Sequence, residues 1–257
     1  MGISVVINTY NADLHLDKVL SAVQDFDEIL LCDMNSTDKT IQIAQKHNCR
    51  IIYHEHTGIV EPARNKTIQA ASQEWVLIID ADEIVTPQLK EYLYQQINLP
   101  NPPDAIRIPR KNYFMGKFMR ATYPDYLLRF SRKEAIDWPP FVHAIPHITG
   151  KTATIPAHKT ELALIHLANE SVADFIRKIN TYSDKEVERR KNKKYTLFDI
   201  AMQVSFRFFK QYILKKGILD GTPGFCYAIL SAYYKFATMA KVYEYHHKKQ
   251  PAPRTGL

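Results

Sequence analysis

The sequence predicts an α/β fold: a mostly parallel central sheet flanked by helices, with a helical C-terminal extension. Three observations predict it. Short β-rich runs alternate with helix-spaced stretches through the first hundred residues. Those runs are apolar almost throughout instead of alternating, which is the pattern of strands covered on both faces. From about Ala173 to Tyr245 the spacing is helical.

Taken in order, ISVVINTY (residues 3–10) is the first strand. His15 to Gln24 is a helix, with Leu16, Val19, Leu20 and Val23 on one face. EILLCD (28–33) is the second strand, and Ser36-Thr37-Asp38 offer N-cap chemistry for a helix through Ile41 and Ala44. CRIIYHE (49–55) is a third strand, Glu61 to Ala71 a helix, and EWVLIIDAD (74–82) a fourth strand. LPNPPD (99–104) is a turn and linker. The runs AIRIPRKNYF, YLLRFSR and FVHAIPHI (105–148) then complete and extend the sheet.

With 257 residues, 46% of them hydrophobic, the chain can bury a large core. It contains no uninterrupted apolar run of ~18 residues, so no membrane span is expected. The opening MGISVVINTY has no basic segment ahead of a signal-type core and reads as a strand. Cys32, Cys49 and Cys226 have neither paired nor metal-ligand spacing. Together these features lead us to expect a cytoplasmic protein.

Charge is unevenly spread. Residues 1–100 carry 7 Lys/Arg against 14 Asp/Glu, whereas residues 177–216 carry 12 against 4. An acidic part suited to a metal is thus followed by a basic part suited to an anionic partner.

In open parallel α/β sheets, ligands bind at the carboxyl ends of strands. Three such ends here carry polar residues: Asn8-Thr9-Tyr10-Asn11, Asp33, and Asp80-Ala81-Asp82. No GxGxxG or phosphate-loop pattern occurs, so a nucleotide's diphosphate needs another counter-charge. A divalent cation held by carboxylates supplies one, and hard cations such as Mg²⁺ or Mn²⁺ prefer those oxygens. The competing reading of Asp80 and Asp82 is an acidic helix start.

VVINTYN, DEILLCDMNSTDKT, EPARNKTIQAAS and WVLIIDADE stand in an order and spacing that resembles the family 2 inverting glycosyltransferases. KNYFMGK, YPDYLLRFSR, FVHAIPH and FFKQYILKKGILDGTPGF extend the likeness to the subgroup that builds lipopolysaccharide core and related surface glycans. The resemblance implies a GT-A fold and transfer from a nucleotide-sugar, a UDP-sugar foremost, to a glycan or glycolipid acceptor with Mg²⁺ or Mn²⁺. It also implies site roles. Asn8, Thr9 and Tyr10 would line the base pocket, Asp33 would bond the base or ribose, and Arg64 would lie near the base or diphosphate. Asp80 would contact the ribose or a metal-bound water, and Asp82 would ligate the metal. Residue by residue, blander readings stand beside these: a half-buried Tyr10, a turn-capping Asp33, an Arg64–Glu61 pair on one helix face.

Inverting transfer needs a general base. Asp125, in Tyr-Pro-Asp-Tyr ahead of an apolar strand, is the candidate, with Arg129 orienting it or meeting phosphate; a turn cap after Pro124 is the alternative. Relatives read Val-His-Glu where this chain has Val142-His143-Ala144. His143 is a candidate metal ligand or acceptor-site residue, and His147, His158 and His166 follow it. The expected domains are a catalytic domain 1–170 (nucleotide-binding half 1–100, acceptor-side half 101–170), a basic helical extension 171–250 and a tail 251–257.

Residues 198–216 read as a basic amphipathic helix, with Ala201, Val204, Phe208 and Tyr212 at helical spacing. It fits an interfacial anchor on an anionic membrane, which would place the protein peripherally at the inner face, and equally a helix packed on the catalytic domain. No nucleic-acid fingerprint accompanies the charge. Two rival functions remain: a nucleotidyltransferase, which usually opens with a Gly-rich phosphate loop, and an inactive nucleotide-sugar-binding or scaffold protein at the membrane, which Ala144 favours.

Overall fold

The computed structural model describes residues 1–58, 60–139, 145–167 and 171–248, the last by its backbone. In chain order the larger elements begin with β1 (Ile3–Thr9), α1 (Asp13–Val23), β2 (Glu28–Asp33), α2 (Thr40–Lys46), β3 (Arg50–Tyr53), α3 (Glu61–Ala70) and β4 (Trp75–Asp80). There follow β5 (Glu83–Ile84), α4 (Pro87–Ile97), β6 (Ala105–Lys111), β7 (Tyr113–Phe114), β8 (Lys117–Phe118) and β9 (Asp125–Arg132). The chain continues with β10 (Ile136–Asp137), β11 (His147–Ile148), β12 (Thr152–Thr154), β13 (Leu164–His166), α5 (Val172–Arg190), α6 (Leu197–Phe209) and α7 (Thr222–Lys248). Two compact units result: Met1–Asn112 with Tyr123–Ala168, and Tyr113–Thr122 with Asn169–Leu257.

The first unit is built on a sheet of order β3-β2-β1-β4-β9-β6-β13-β5, with β12 also paired to β6. β3, β2, β1 and β4 run parallel, as their continuous apolar character predicts, and β9 then lies antiparallel to both β4 and β6. Strand alternation explains why these strands carry no polar face. Ile3, Val5 and Ile7 pack into the larger core with α1 and α4, while Val6, Leu30, Val76 and Ile78 pack into a second core with Ile68 of α3. Trp75 stacks on Phe130 across β4 and β9, with ring centroids 5.2 Å apart.

Several expectations need correction. α2 begins at Thr40 with Lys39 at the cap position; of the three expected capping residues Asp38 supplies the bond, its Oδ1 accepting the Thr40 amide at 2.9 Å, while Ser36 is drawn toward Asp33. α4 lies where no helix is predicted. It is started by Thr86, whose hydroxyl accepts the Leu89 amide, and by Pro87 in the first turn. Of FVHAIPHI, residues 141–144 lie outside the described residues; among the described residues His147–Ile148 pair only with Ile136–Asp137 and not with the main sheet.

The second unit is helical apart from the β7–β8 hairpin. Thr196 and Asp199 form a capping box at the start of α6, and a π-helical turn (Lys210–Leu214) ends it, so the 198–216 helix is shorter than expected. Gly217 is required where it stands, since a Cβ there would come within 2.7 Å of the Gln211 carbonyl oxygen. Phe114, Phe175 and Tyr227 pack edge to face in this unit's core. Among the described residues no helix is long and apolar enough to cross a membrane.

Candidate active site

The parallel register sets the strand ends side by side. Asn8 lies opposite Cys32 and Asp80, and Thr9 opposite Asp33. Pleating then sends neighbouring side chains to opposite faces. The Asn8 amide donates to Thr67 Oγ1 on α3 at 2.8 Å, while the buried Thr9 hydroxyl donates to Asp33 Oδ1 at 3.2 Å. Asp33 is itself buried. Its Oδ2 accepts the Ser36 amide at 2.9 Å and its Oδ1 accepts the Ser36 hydroxyl at 2.5 Å. Both oxygens accept bonds inside the protein, and through them Asp33 and Thr9 brace the loop that follows β2.

Tyr10 is not a core aromatic. Its ring is 43% exposed and stacks on His56, with centroids 3.8 Å apart. Asn11, with φ of 48°, accepts the Thr37 amide and donates its own amide to Ser36.

Beyond β4 lies a chain of charges that sequence reasoning largely missed. Arg64 faces the sheet from the first turns of α3, alongside Thr67 and Ile68 at i+3 and i+4. It donates from Nη2 to Asp80 Oδ1 at 3.0 Å. Arg129 Nη2 meets Asp80 Oδ2 and also Glu83 Oε1, the latter at 3.1 Å. Glu83 is fully buried and accepts two further bonds, from Arg110 Nη1 at 2.8 Å and from the Asp80 amide at 3.0 Å. Burial alone would raise the Asp80 carboxyl. The charges of Arg129 and then Arg64 overcome that and hold it at about 2.

Arg110 continues the chain to Asp125, donating to Oδ2 from Nε at 3.0 Å and from Nη2 at 2.7 Å. Arg110, not Arg129, therefore orients Asp125. Asn112 Nδ2 adds a third bond to the same oxygen at 3.0 Å. That bond fixes the Asn112 amide, turning its Oδ1 toward His166 Nδ1 at 2.9 Å. His166 Nδ1 must then carry a proton. The opposite ring nitrogen, Nε2, lies 3.2 Å from Asp82 Oδ2. Two groups that are both acceptors when His166 is neutral thus face each other, and a proton or a cation between them satisfies both.

Asp82 is held in place by its neighbours: its carbonyl accepts the Leu167 amide at 2.7 Å, and Glu83 pairs with His166 between β5 and β13. Both side chains keep some solvent access, 32% for Asp82 and 21% for His166. Among the described residues no three His, Cys, Asp or Glu side chains converge on one point. A cation here would have two protein ligands, one carboxylate and one imidazole, and draw the rest from phosphate or water; the carboxylate is the ligand type that Mg²⁺ and Mn²⁺ prefer. His143, the metal candidate of the sequence, lies outside the described residues. A usable signal for Arg110 was available: it shares a strand face with core residues Ile106 and Ile108.

Residues 4–151 match the family described as Glycosyl transferase family 2. An uncharacterized glycosyltransferase of Rickettsia bellii (strain RML369-C) is 24% identical, over 98% of this chain and 90% of that one. The lipopolysaccharide core biosynthesis glycosyltransferase LpsC of Rhizobium meliloti (strain 1021) is 25% identical, over 96% of this chain and 93% of that one. Among solved structures, S. aureus TarS aligns with a TM-score of 0.49 at 16% identity, over 95% of this chain and 54% of that one. The mannosyltransferase PcManGT of Pyrobaculum calidifontis, in complex with GDP-Man and Mn²⁺, aligns with a TM-score of 0.49 at 15% identity, over 98% of this chain and 76% of that one.

Proposed function

The chain belongs to glycosyl transferase family 2 and is a glycosyltransferase; on that premise we propose that it moves a sugar, with inversion, from a UDP-sugar onto a lipid-linked or lipopolysaccharide-type glycan. The observation that carries the reading is the facing pair of Asp82 and His166 beside a strand end. The donor set fits a hard divalent cation, Mg²⁺ or Mn²⁺, which Asp82 and His166 would hold and which supplies positive charge to a departing diphosphate. The acceptor class is supported by the printed name of LpsC.

The chain's own residues divide the remaining work. Tyr10, exposed and already stacked, offers a face to the nucleobase, and Asn8, Thr9 and Asp33 hold the strand ends that frame it. Asp80 keeps 36% of its side chain exposed and faces the ribose, its charge offset by Arg64 and Arg129. Asp125 takes the acceptor hydroxyl proton during in-line attack. All three bonds given above fall on its Oδ2, which directs Oδ1 to that task.

The acceptor reading also places the protein at a membrane surface. α6 packs on α7 through Arg207, whose Nε donates to Ser231 at 2.8 Å, and through Phe208 against Phe225. None of its 13 residues is buried. On the side away from that packing, Phe198, Met202, Phe206, Phe209 and Ile213 recur at steps of four, four, three and four, and all are exposed. Lys215 and Lys216 lie at the end of the stripe and are exposed too. An apolar stripe with flanking cations is how an interfacial helix binds anionic lipid.

The test is turnover. The purified chain should hydrolyse one of the UDP-, GDP- or ADP-sugars in the presence of Mn²⁺ or Mg²⁺. Binding of a nucleotide-sugar without any turnover would return the scaffold reading, and neither binding nor turnover would sink both.

A further inference from the structure

Asn112 bonds both to Asp125 and to His166, and no role has yet been given to it. It stands one residue past β6, and the sheet order puts β9 on one side of β6 and β13 on the other. β9 runs antiparallel to β6 and so begins where β6 ends, with Arg110 opposite Asp125. β13 runs parallel to β6 and so ends where β6 ends, with Lys111 opposite Ile165. The end of the middle strand is therefore flanked by the base on one side and a metal ligand on the other. Asn112 continues the alternation that Arg110 follows two residues earlier, which is why both reach the same Asp125 oxygen.

A primary amide has a donor end and an acceptor end, and here each has a fixed partner. The carboxylate oxygen Asp125 Oδ2 can only accept, so it takes Nδ2 at 3.0 Å and leaves Oδ1 facing His166 Nδ1 at 2.9 Å. Turning the amide over would set oxygen against oxygen at Asp125. The ring answers with Nδ1–H, and its Nε2 lone pair is then directed at Asp82 Oδ2, 3.2 Å away. Without an acceptor at Nδ1, the neutral ring would instead donate from Nε2 to the Asp82 carboxylate, a stronger acceptor than an amide oxygen. That proton would occupy the place of a cation.

We infer that Asn112 is a positioning residue that locks the base and the metal site together: its donor end holds Asp125, and its acceptor end keeps His166 Nε2 open to a divalent cation. The inference rests on the roles given above to Asp125, Asp82 and His166, and adds the residue that joins them. A hydrogen-bond partner behind a metal-binding histidine is worth roughly 10–100-fold in metal affinity. Here the same amide also fixes the group that takes the proton, so losing it disturbs two steps at once.

The probe is Mn²⁺, titrated calorimetrically with UDP present into wild type, N112A and N112D, with melting curves reporting that each is folded. N112A should bind Mn²⁺ roughly 10–100-fold more weakly, although it removes no ligand. N112D restores an acceptor at Nδ1 and should bind Mn²⁺ at least as tightly as wild type. Donor hydrolysis, with water in the acceptor's place, reads the other half. Its kcat should fall in both variants, because N112A takes a bond from Asp125 and N112D sets a second carboxylate against it. A merely structural role would move both readouts together in N112D. Unchanged Mn²⁺ affinity or unchanged hydrolysis in N112A, or an equal loss of Mn²⁺ affinity in N112D, overturns the inference alone. Wild type that binds no Mn²⁺ sinks the metal reading, and the inference with it.

Discussion

Replacing Phe206 by Glu tests the membrane-facing stripe most directly. Phe206 is 57% exposed, so more than half of its surface remains to be covered by lipid. Full burial of such a side chain is worth ~1.5–3 kcal/mol, which leaves about 1–1.5 kcal/mol to be gained at the bilayer. A glutamate forfeits that gain and adds about 1 kcal/mol of repulsion from an anionic leaflet. The sum, about 2 kcal/mol, is roughly a thirtyfold loss of vesicle affinity. Sedimentation with phosphatidylcholine vesicles, with and without phosphatidylglycerol, reads it out. K215Q/K216Q should lose a similar ~2 kcal/mol on the anionic vesicles and little on the neutral ones. Melting temperatures should barely move, because surface substitutions of this kind fall within about 0.5 kcal/mol. Wild-type affinity in both variants, or no binding by the wild type, would refute the reasoning.

Three further outcomes follow from the active-site chain. Asp82→Ala and His166→Ala should each weaken Mn²⁺ affinity, measured by calorimetry with UDP present, by at least roughly 10–100-fold, the loss seen even for partners that only support a ligand; wild-type affinity in both would remove them from the metal site. Asp125→Asn should lower sugar transfer by roughly 10²–10⁴-fold, the usual share of a general base, while leaving UDP affinity intact. A parallel loss of UDP binding would instead mark Asp125 as structural. Because the Asp80 carboxyl is held at about 2 in the folded chain against 3.8 unfolded, its contribution is complete above about pH 4 and is lost as pH falls toward 2. Discounted for the exposed third of its side chain, that amounts to about 1 kcal/mol, and Asp80→Asn should flatten this part of the acid-denaturation curve.

Much of the fold was readable because the residues that shape it are close in sequence. Each strand from β1 to β4 announces itself by a run of adjacent apolar residues, and the strand-end positions of Asp33, Asp80 and Asp82 follow from where those runs stop. The charge chain was not readable for the opposite reason. Arg110 and Asp125 face each other through the antiparallel register of β6 and β9, and nothing local states that these two strands are neighbours. His166 closes a three-residue strand and Glu83 opens a two-residue one, both too short to show a period. α4 does carry a local signal, since Thr86-Pro87 has the chemistry of a helix start.

Glu83 limits how this enzyme can be recombined. Its carboxylate is completely enclosed and receives protons' worth of positive charge from β6 and β9, while its own residue sits just past β4. A hybrid that grafts the first hundred residues onto a foreign second half would place an enclosed anion opposite whatever that half carries at the positions of Arg110 and Arg129. Stranding it there would cost about 3–5 kcal/mol. The natural seam for exchanging specificity therefore lies outside the strands, in the turns that link them, and any donor segment swapped across the sheet has to travel with both arginines.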